Sequence, residues 1–200
     1  SGGYLQRMLS PKYRIFMDME VPFLFTDEDM YFAVNMFADE VTLGKALSRY
    51  DPAFITVQNR AGEFPALIKK FPEYVMVFFD DAEVLYVSQR QHPAIASAYK
   101  LEALDPFELP HESVEAMLKS DHDQAPVMRE VQRLLAIYPD GRTTNHVAGL
   151  VYLKDGAYDR VLPSAEAIIR HFPDSPIGHR LQGDALKGLR VFDQAIAAYW

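Results

Sequence analysis

The chain has no cysteine, which excludes disulfides, thiolate metal sites and cysteine nucleophiles but fits a cytosolic or an extracytoplasmic location equally well. It has no apolar run approaching the ~20 residues that span a bilayer, and its N-terminus shows neither the charged n-region nor the apolar h-region of a secretory signal. Cations are few and dispersed. The 20 Lys and Arg stand against 28 Asp and Glu, 20 − 28 = −8, and no stretch gathers them on one face as a phosphate-binding surface requires. Nucleic acid is therefore not an expected partner. Glycine is missing where a phosphate loop would need it: the first strand-like run is followed by Asp18-Met19-Glu20-Val21-Pro22, so nucleotide binding is not expected. Neither a GxSxG elbow nor an HExxH pair occurs, and no cofactor or metal is expected.

What remains is ordinary globular material, 49% hydrophobic and 24% charged in 200 residues, enough to fold as two small modules. The chain begins Ser1-Gly2-Gly3 without an initiator Met and stops at Trp200 inside an amphipathic helical pattern, as expected of a piece of a longer protein.

Aligned against itself, the second half repeats with a period of 34 residues: Gly149 recurs as Gly183, Tyr158 as Phe192 and Pro139 as Pro173. The middle unit reads as a helix from Thr143 past Tyr152, a turn at Asp155-Gly156-Ala157-Tyr158, and a second helix through Ala165, Ile168 and Ile169 that stops at Pro173. Gly149 and Gly183 are expected where the two helices of a hairpin cross too closely for a side chain. Tyr152 and Tyr158 fill the wedge between helices, Gly156 permits the tight turn, and Pro173 ends the second helix because it lacks the next N–H donor. One period earlier, Val127, Val131, Leu134 and Leu135 lie at helical spacing before Pro139, preceded by Val114, Met117 and Leu118. The units are thus about 110–141, 142–175 and 176–200.

This pattern resembles the tetratricopeptide family of helical-hairpin repeats. It departs from that family at Val161, where Ala is preferred, at Pro163 in the first turn of the second helix, and at Arg190, where the turn glycine would stand. The resemblance implies that the first helices of successive hairpins line a groove that holds a protein or peptide. By spacing the groove residues are His146, Leu150 and Lys154, with Arg180, Asp184 and Lys187 in the next unit; the alternative is that they are solvated faces of a spacer.

Before Leu104 the pattern changes. The runs Tyr13–Met17, Phe54–Val57, Tyr74–Phe79 and Val84–Val87 are rich in β-formers and short enough for strands. Helical stretches lie between them: Asp27–Phe37 behind Thr26 as N-cap, Val41–Tyr50, and Gly62–Phe71. Strands alternating with helices predict a small α/β domain at 1–104, with a short mixed sheet built on parallel crossovers and finished by a hairpin turning at Asp80-Asp81-Ala82. All-α hairpins follow at 105–200.

Gly2-Gly3-Tyr4-Leu5, Tyr13-Arg14-Ile15-Phe16-Met17-Asp18 and Val84-Leu85-Tyr86-Val87 resemble a soluble region of certain bacterial polytopic membrane proteins that are similar to lipid-linked-sugar glycosyltransferases. The likeness covers roughly residues 2–88 and departs where those proteins tend to have Gly-Arg after the Asp and this chain has Met19-Glu20. It implies a region outside the cytoplasm, behind membrane spans that carry any transferase chemistry.

Other groups carry less. Asp18 and Glu20 at the end of the first strand could act as acid and base, but acidic residues just past a strand are commonly caps or solvated loop. Asp80, Asp81 and Glu83 could meet a hard cation, yet lack the glycine and alternating ligands of a calcium loop, so a solvated turn is expected. Asp121-His122-Asp123 falls in a polar inter-helix loop without paired histidine spacing. Phe23, Phe25, Tyr31, Phe32 and Phe37 are expected in a core or between the modules. The reading is a non-catalytic protein-interaction scaffold, extracytoplasmic and joined to the membrane through a portion outside this sequence. The alternatives are an accessory carbohydrate-binding or hydrolytic module using Asp18 and Glu20, and a cytosolic repeat adaptor.

Overall fold

The computed structural model describes Lys12 and residues 26–59, 62–109 and 124–200. The Gly2–Leu5 run, the predicted strand Tyr13–Met17, Asp18, Glu20, Phe23, Phe25, the first-hairpin positions Val114, Met117 and Leu118, and the Asp121–Asp123 triplet lie outside the described residues.

Helix α1 (Asp27–Asn35) starts where Thr26 accepts from the Asp29 N–H while the Asp29 carboxylate bonds back to the Thr26 backbone, a complete capping box. Helix α2 (Glu40–Tyr50) is capped by Asp39 and ends at Asp51, which takes a left-handed conformation with φ 42°. Then follow β1 (Phe54–Gln58), the short helix α3 (Phe64–Ile68), β2 (Tyr74–Phe79), β3 (Glu83–Ser88) and helix α4 (Pro93–Tyr99). The helical region comprises α5 (Ala125–Ile137), α6 (Arg142–Lys154), α7 (Tyr158–His171), α8 (Pro176–Gly188) and α9 (Phe192–Tyr199).

The described strands form one sheet in the order β1-β3-β2, and both pairings are antiparallel. Among the described strands no two neighbours are parallel, where a mixed sheet on parallel crossovers was expected. Because β1 and β2 each run opposite to β3, they run the same way as each other, as a strand–helix–strand crossover through α3 dictates. They are not neighbours, however. The Asp80–Ala82 turn is short enough to fold β3 straight back on β2, and β3 then occupies the place between the two that a parallel pair would have needed. A bulge between Met76 and Phe78 shifts the β2 register, so that Tyr74, Val75, Val77 and Phe79 are all buried.

Both faces of the sheet are covered. On one, Ala96 of α4 packs with Val75, Val77 and Val87. On the other, Phe79, Val84 and Tyr86 join Leu43 and Leu47 of α2 and Phe64 and Ile68 of α3 in a cluster that continues without interruption into Val127, Val131 and Leu134 of α5 and Val147 and Val151 of α6. A second cluster, Val161, Ala165, Ile168, Leu181 and Ala185, holds α7 to α8.

The helices from Arg142 onward repeat. Helices α6 and α8 start at 142 and 176, and α7 and α9 at 158 and 192, an offset of 34 in both cases. The turns match as well: Ala157 N–H donates to Tyr152 O and Val191 N–H to Leu186 O. Gly156 and Arg190, one residue before these donors, both adopt positive φ, 69° and 62°. Arg190 thus keeps the glycine conformation without the glycine. Pro163 lies inside α7 and not in its first turn, because the preceding turn closes early and the helix already begins at Tyr158.

Candidate functional site

The sheet and the helices are fastened by two carboxylates. Helix α6 starts at Gly141, which has no side chain to cap it. The cap comes from the β2–β3 turn, where Asp81 accepts from the backbone N–H of Arg142 at 2.7 Å, the N–H of Thr143 at 2.9 Å and the Thr143 hydroxyl at 2.9 Å. A helix N-terminus offers orphan donors and partial positive charge, so an anion is favoured there. Asp80 closes its own turn instead, accepting from Ala82 N–H and Glu83 N–H. The acidic turn is therefore a structural joint: two of its three carboxylates are spent on backbone N–H groups, and Glu83 is exposed.

The second joint is Glu130, buried on the apolar face of α5 at 6% exposure. Its two oxygens accept from the N–H groups of Glu102, Ala103 and Leu104 at 2.7–3.1 Å. One turn later Arg133 donates to the carbonyls of Ala98 and Lys100. Together they grip the segment after α4 by its backbone, satisfying the buried charge. Neither joint was expected from the sequence. A Glu at Val127-Glu130-Val131-Leu134 spacing was a visible signal, since a carboxylate inside an apolar stripe requires a buried partner; Asp81 gave none.

The predicted groove residues divide. His146 is buried at 5% exposure, so it belongs to the interior and not to an open surface. Leu150 is half-buried and packs against both clusters. Arg180 and Asp184 are half-buried, and Asp184 accepts from the Tyr199 hydroxyl at 2.6 Å. Burial of the phenol, and then that bond, pushes the pKa of the Tyr199 hydroxyl up to about 12. Lys154 and Lys187 are exposed at the ends of the first helices. The six positions do not form one continuous open strip.

The predicted packing positions meet different surroundings. A Cβ on Gly149 would stand 2.8 Å from Leu181 Cδ1, so this glycine admits α8, the first helix of the next hairpin, and not its own second helix. A Cβ on Gly183 would stand 2.3 Å from Tyr199 Cε1, within its own hairpin. Tyr152 lies under the Arg160 guanidinium, 4.5 Å from the ring centroid, and Tyr158 packs over Gly188. Pro173 is exposed just past the end of α7, and Phe192 is 57% exposed. Phe32 and Phe37 pack against Tyr50 and Phe64, whereas Tyr31 is exposed.

A cleft of about 450 Å³ lies where α2 ends against the start of β2 and the end of β3, lined among others by Asp51, Phe71, Tyr74, Ser88 and Arg90. Its polar groups engage one another: Arg90 pairs with Asp51 and holds that carboxyl below its ordinary range. Tyr74 donates to Pro52 O at 3.1 Å, and burial pushes its hydroxyl up to about 12. The carboxyl is ionised and the phenol protonated at neutral pH, so the two offer hydrogen bonds but no proton-transfer pair near pH 7. Among the described residues no group of three or more His, Asp or Glu side chains is placed to hold a metal ion, and no helix is long and apolar enough to cross a membrane.

No protein-family model, no curated protein and no solved structure matches the chain.

Proposed function

We propose that the chain is a non-catalytic interaction scaffold, in which hairpins of tetratricopeptide type hold a protein or peptide and the small sheet module anchors them. The observation that supports this reading is the 34-residue recurrence of the helix starts, the turn bonds and the left-handed turn conformation at Gly156 and Arg190. Stacked hairpins of this kind present their first helices along one side. The exposed charged positions on this side are Lys154 and Lys187, flanked by the half-buried Leu150, Arg180 and Asp184, and His146 drops out. Two exposed lysines at the ends of successive first helices favour an acidic segment.

The wider setting follows the resemblance of residues 2–88 to the soluble region of glycosyltransferase-like membrane proteins: the scaffold stands outside the cytoplasm and any transferase chemistry belongs to another part of the full protein.

Selection from a displayed random-peptide library tests the scaffold. Acidic peptides enrich on the wild-type chain and are lost on the Lys154→Glu/Lys187→Glu double variant, whose circular dichroism is unchanged. Enrichment that is equal on both proteins contradicts the assignment of the groove.

A further inference from the structure

Three features of the cleft at the end of α2 go beyond what the fold requires. The first is Gly44, which stands inside α2 and lines the cleft. A glycine within a helix weakens it relative to alanine, and packing does not demand one here: a Cβ would stand 3.4 Å from Phe71 Cε1 and Cζ, in ordinary contact. What that Cβ would take up is room in the cleft. The second is Asp51, left-handed at φ 42°. Glycine or asparagine would end the helix as well; the aspartate adds a carboxylate that meets Arg90. Its backbone is fixed by its N–H donating to Leu47 O at 2.9 Å and by Gln91 Nε2 donating to its carbonyl at 2.8 Å. Non-glycine residues held in this conformation gather at ligand sites. The third is Ser88, 1% exposed on the cleft wall. Among the described residues its hydroxyl makes one bond, accepted from Gln91 N–H at 3.4 Å, so its proton is left to donate; a buried hydroxyl ordinarily has an acceptor.

The charges decide what fits. An anion drawn to Arg90 meets Asp51 and, at the rim, the exposed Glu73, while a cation drawn to Asp51 meets Arg90. A neutral ligand that both donates and accepts avoids both penalties. The carboxylate accepts, the guanidinium donates through a planar fork, and Ser88 donates. The Tyr74 hydroxyl gives its proton to Pro52 O and so can accept. Phe71 and Leu47 supply an apolar wall beside these groups. Neighbouring hydroxyls on one side and C–H bonds on the other are the chemistry of a pyranose ring, and about 450 Å³ lies within the roughly 300–1,000 Å³ of small-molecule sites. We infer that this cleft binds a neutral sugar ring, its vicinal hydroxyls on the Asp51–Arg90 pair and Ser88 and its C–H side on Phe71, where Gly44 leaves room. The site belongs to the sheet module and stands apart from both the repeat reading and the peptide side at Lys154 and Lys187.

Glucose, galactose, mannose and N-acetylglucosamine are titrated in turn, to tens of millimolar, into the chain labelled for NMR. At least one is expected to give saturable shifts at the amides of Gly44, Asp51, Ser88 and Arg90, with a dissociation constant in the millimolar range. Gly44→Ala raises the Tm by strengthening α2 yet lowers the affinity at least about tenfold, a split that a purely structural role does not produce. Arg90→Lys keeps the charge and loses the fork, and lowers the affinity by a similar factor with unchanged circular dichroism. The acidic and amino relatives of the sugar that binds, glucuronate and glucosamine in the case of glucose, bind more weakly than their neutral parent. Undiminished binding of its methyl glycoside assigns the ring to the end of a glycan, and loss of binding assigns it to a free sugar. No saturable shift with any of the four sugars, wild-type affinity in Gly44→Ala or Arg90→Lys, or tighter binding of a charged relative would each overturn the inference.

Discussion

Replacing Asp81 by alanine tests whether the sheet and the repeats fold as one unit. The change leaves the β2–β3 turn closed, because Asp80 makes the turn bonds, but removes the acceptor of three hydrogen bonds at the start of α6. Loss of an N-cap costs ~1 kcal/mol, up to ~2, and loss of the anion at the helix N-terminus adds ~0.3–1. A destabilisation of about 2 kcal/mol follows, or roughly 4–8 °C in Tm for a chain of this size. Asp81→Asn keeps an acceptor and loses the charge, so about half of that is expected. Urea unfolding followed by circular dichroism measures both, with Glu83→Ala as the exposed control expected within ~0.5 kcal/mol of wild type. If Asp81→Ala matches that control, the cap contributes nothing and the coupling argument fails. Two separated transitions in the wild-type chain would refute the shared core itself.

Glu130→Gln presents an NH₂ group to a nest of three backbone N–H donors and removes a charge-assisted contact, for which ~2 kcal/mol is expected from urea unfolding; a neutral result would mean that the segment after α4 is not held by this carboxylate. Arg190→Gly relieves a left-handed non-glycine residue and raises stability by ~0.5–1 kcal/mol, whereas Gly156→Ala at the equivalent turn lowers it by ~1; the same sign at both sites would break the equivalence of the two hairpins. Asp29 is held at about 2 by the Tyr50 hydroxyl first and then Thr26. Because the folded value lies below the ordinary 3.8, the carboxylate's contribution is present above about pH 4 and is lost as pH falls through about 2. NMR titration of Asp29 reads this directly, and Tyr50→Phe moves its midpoint up toward the ordinary value; an unshifted midpoint in both proteins refutes the assigned cause.

The 34-residue period was visible in the sequence because its signals are local: a glycine, an aromatic and a proline recur at one spacing, and the helices from Arg142 to Tyr199 start and stop near the expected residues. The hairpin at Asp80–Ala82 was equally local. What the sequence did not disclose depends on partners distant in the chain. The alternation of strands and helices fixed the directions of β1 and β2 but could not place β3 between them, since pairing is chosen by contacts across the sheet. Gly149 was recognised as a crossing point, but the helix that crosses it belongs to the next unit. His146 has the spacing of a surface position, and neighbouring elements bury it. Asp81 looks like any turn aspartate until the start of α6, 61 positions away, comes to rest on it.

The scaffold reading is tested most directly by mapping where a peptide binds. With the chain labelled for NMR and titrated with an acidic peptide enriched in the library selection, chemical-shift changes are predicted to concentrate on Leu150 to Lys154 and Arg180 to Lys187, and to vanish in the Lys154→Glu/Lys187→Glu variant. Changes centred on the cleft at Asp51 and Arg90, with the ends of α6 and α8 unmoved, would contradict the account and place recognition in the sheet module.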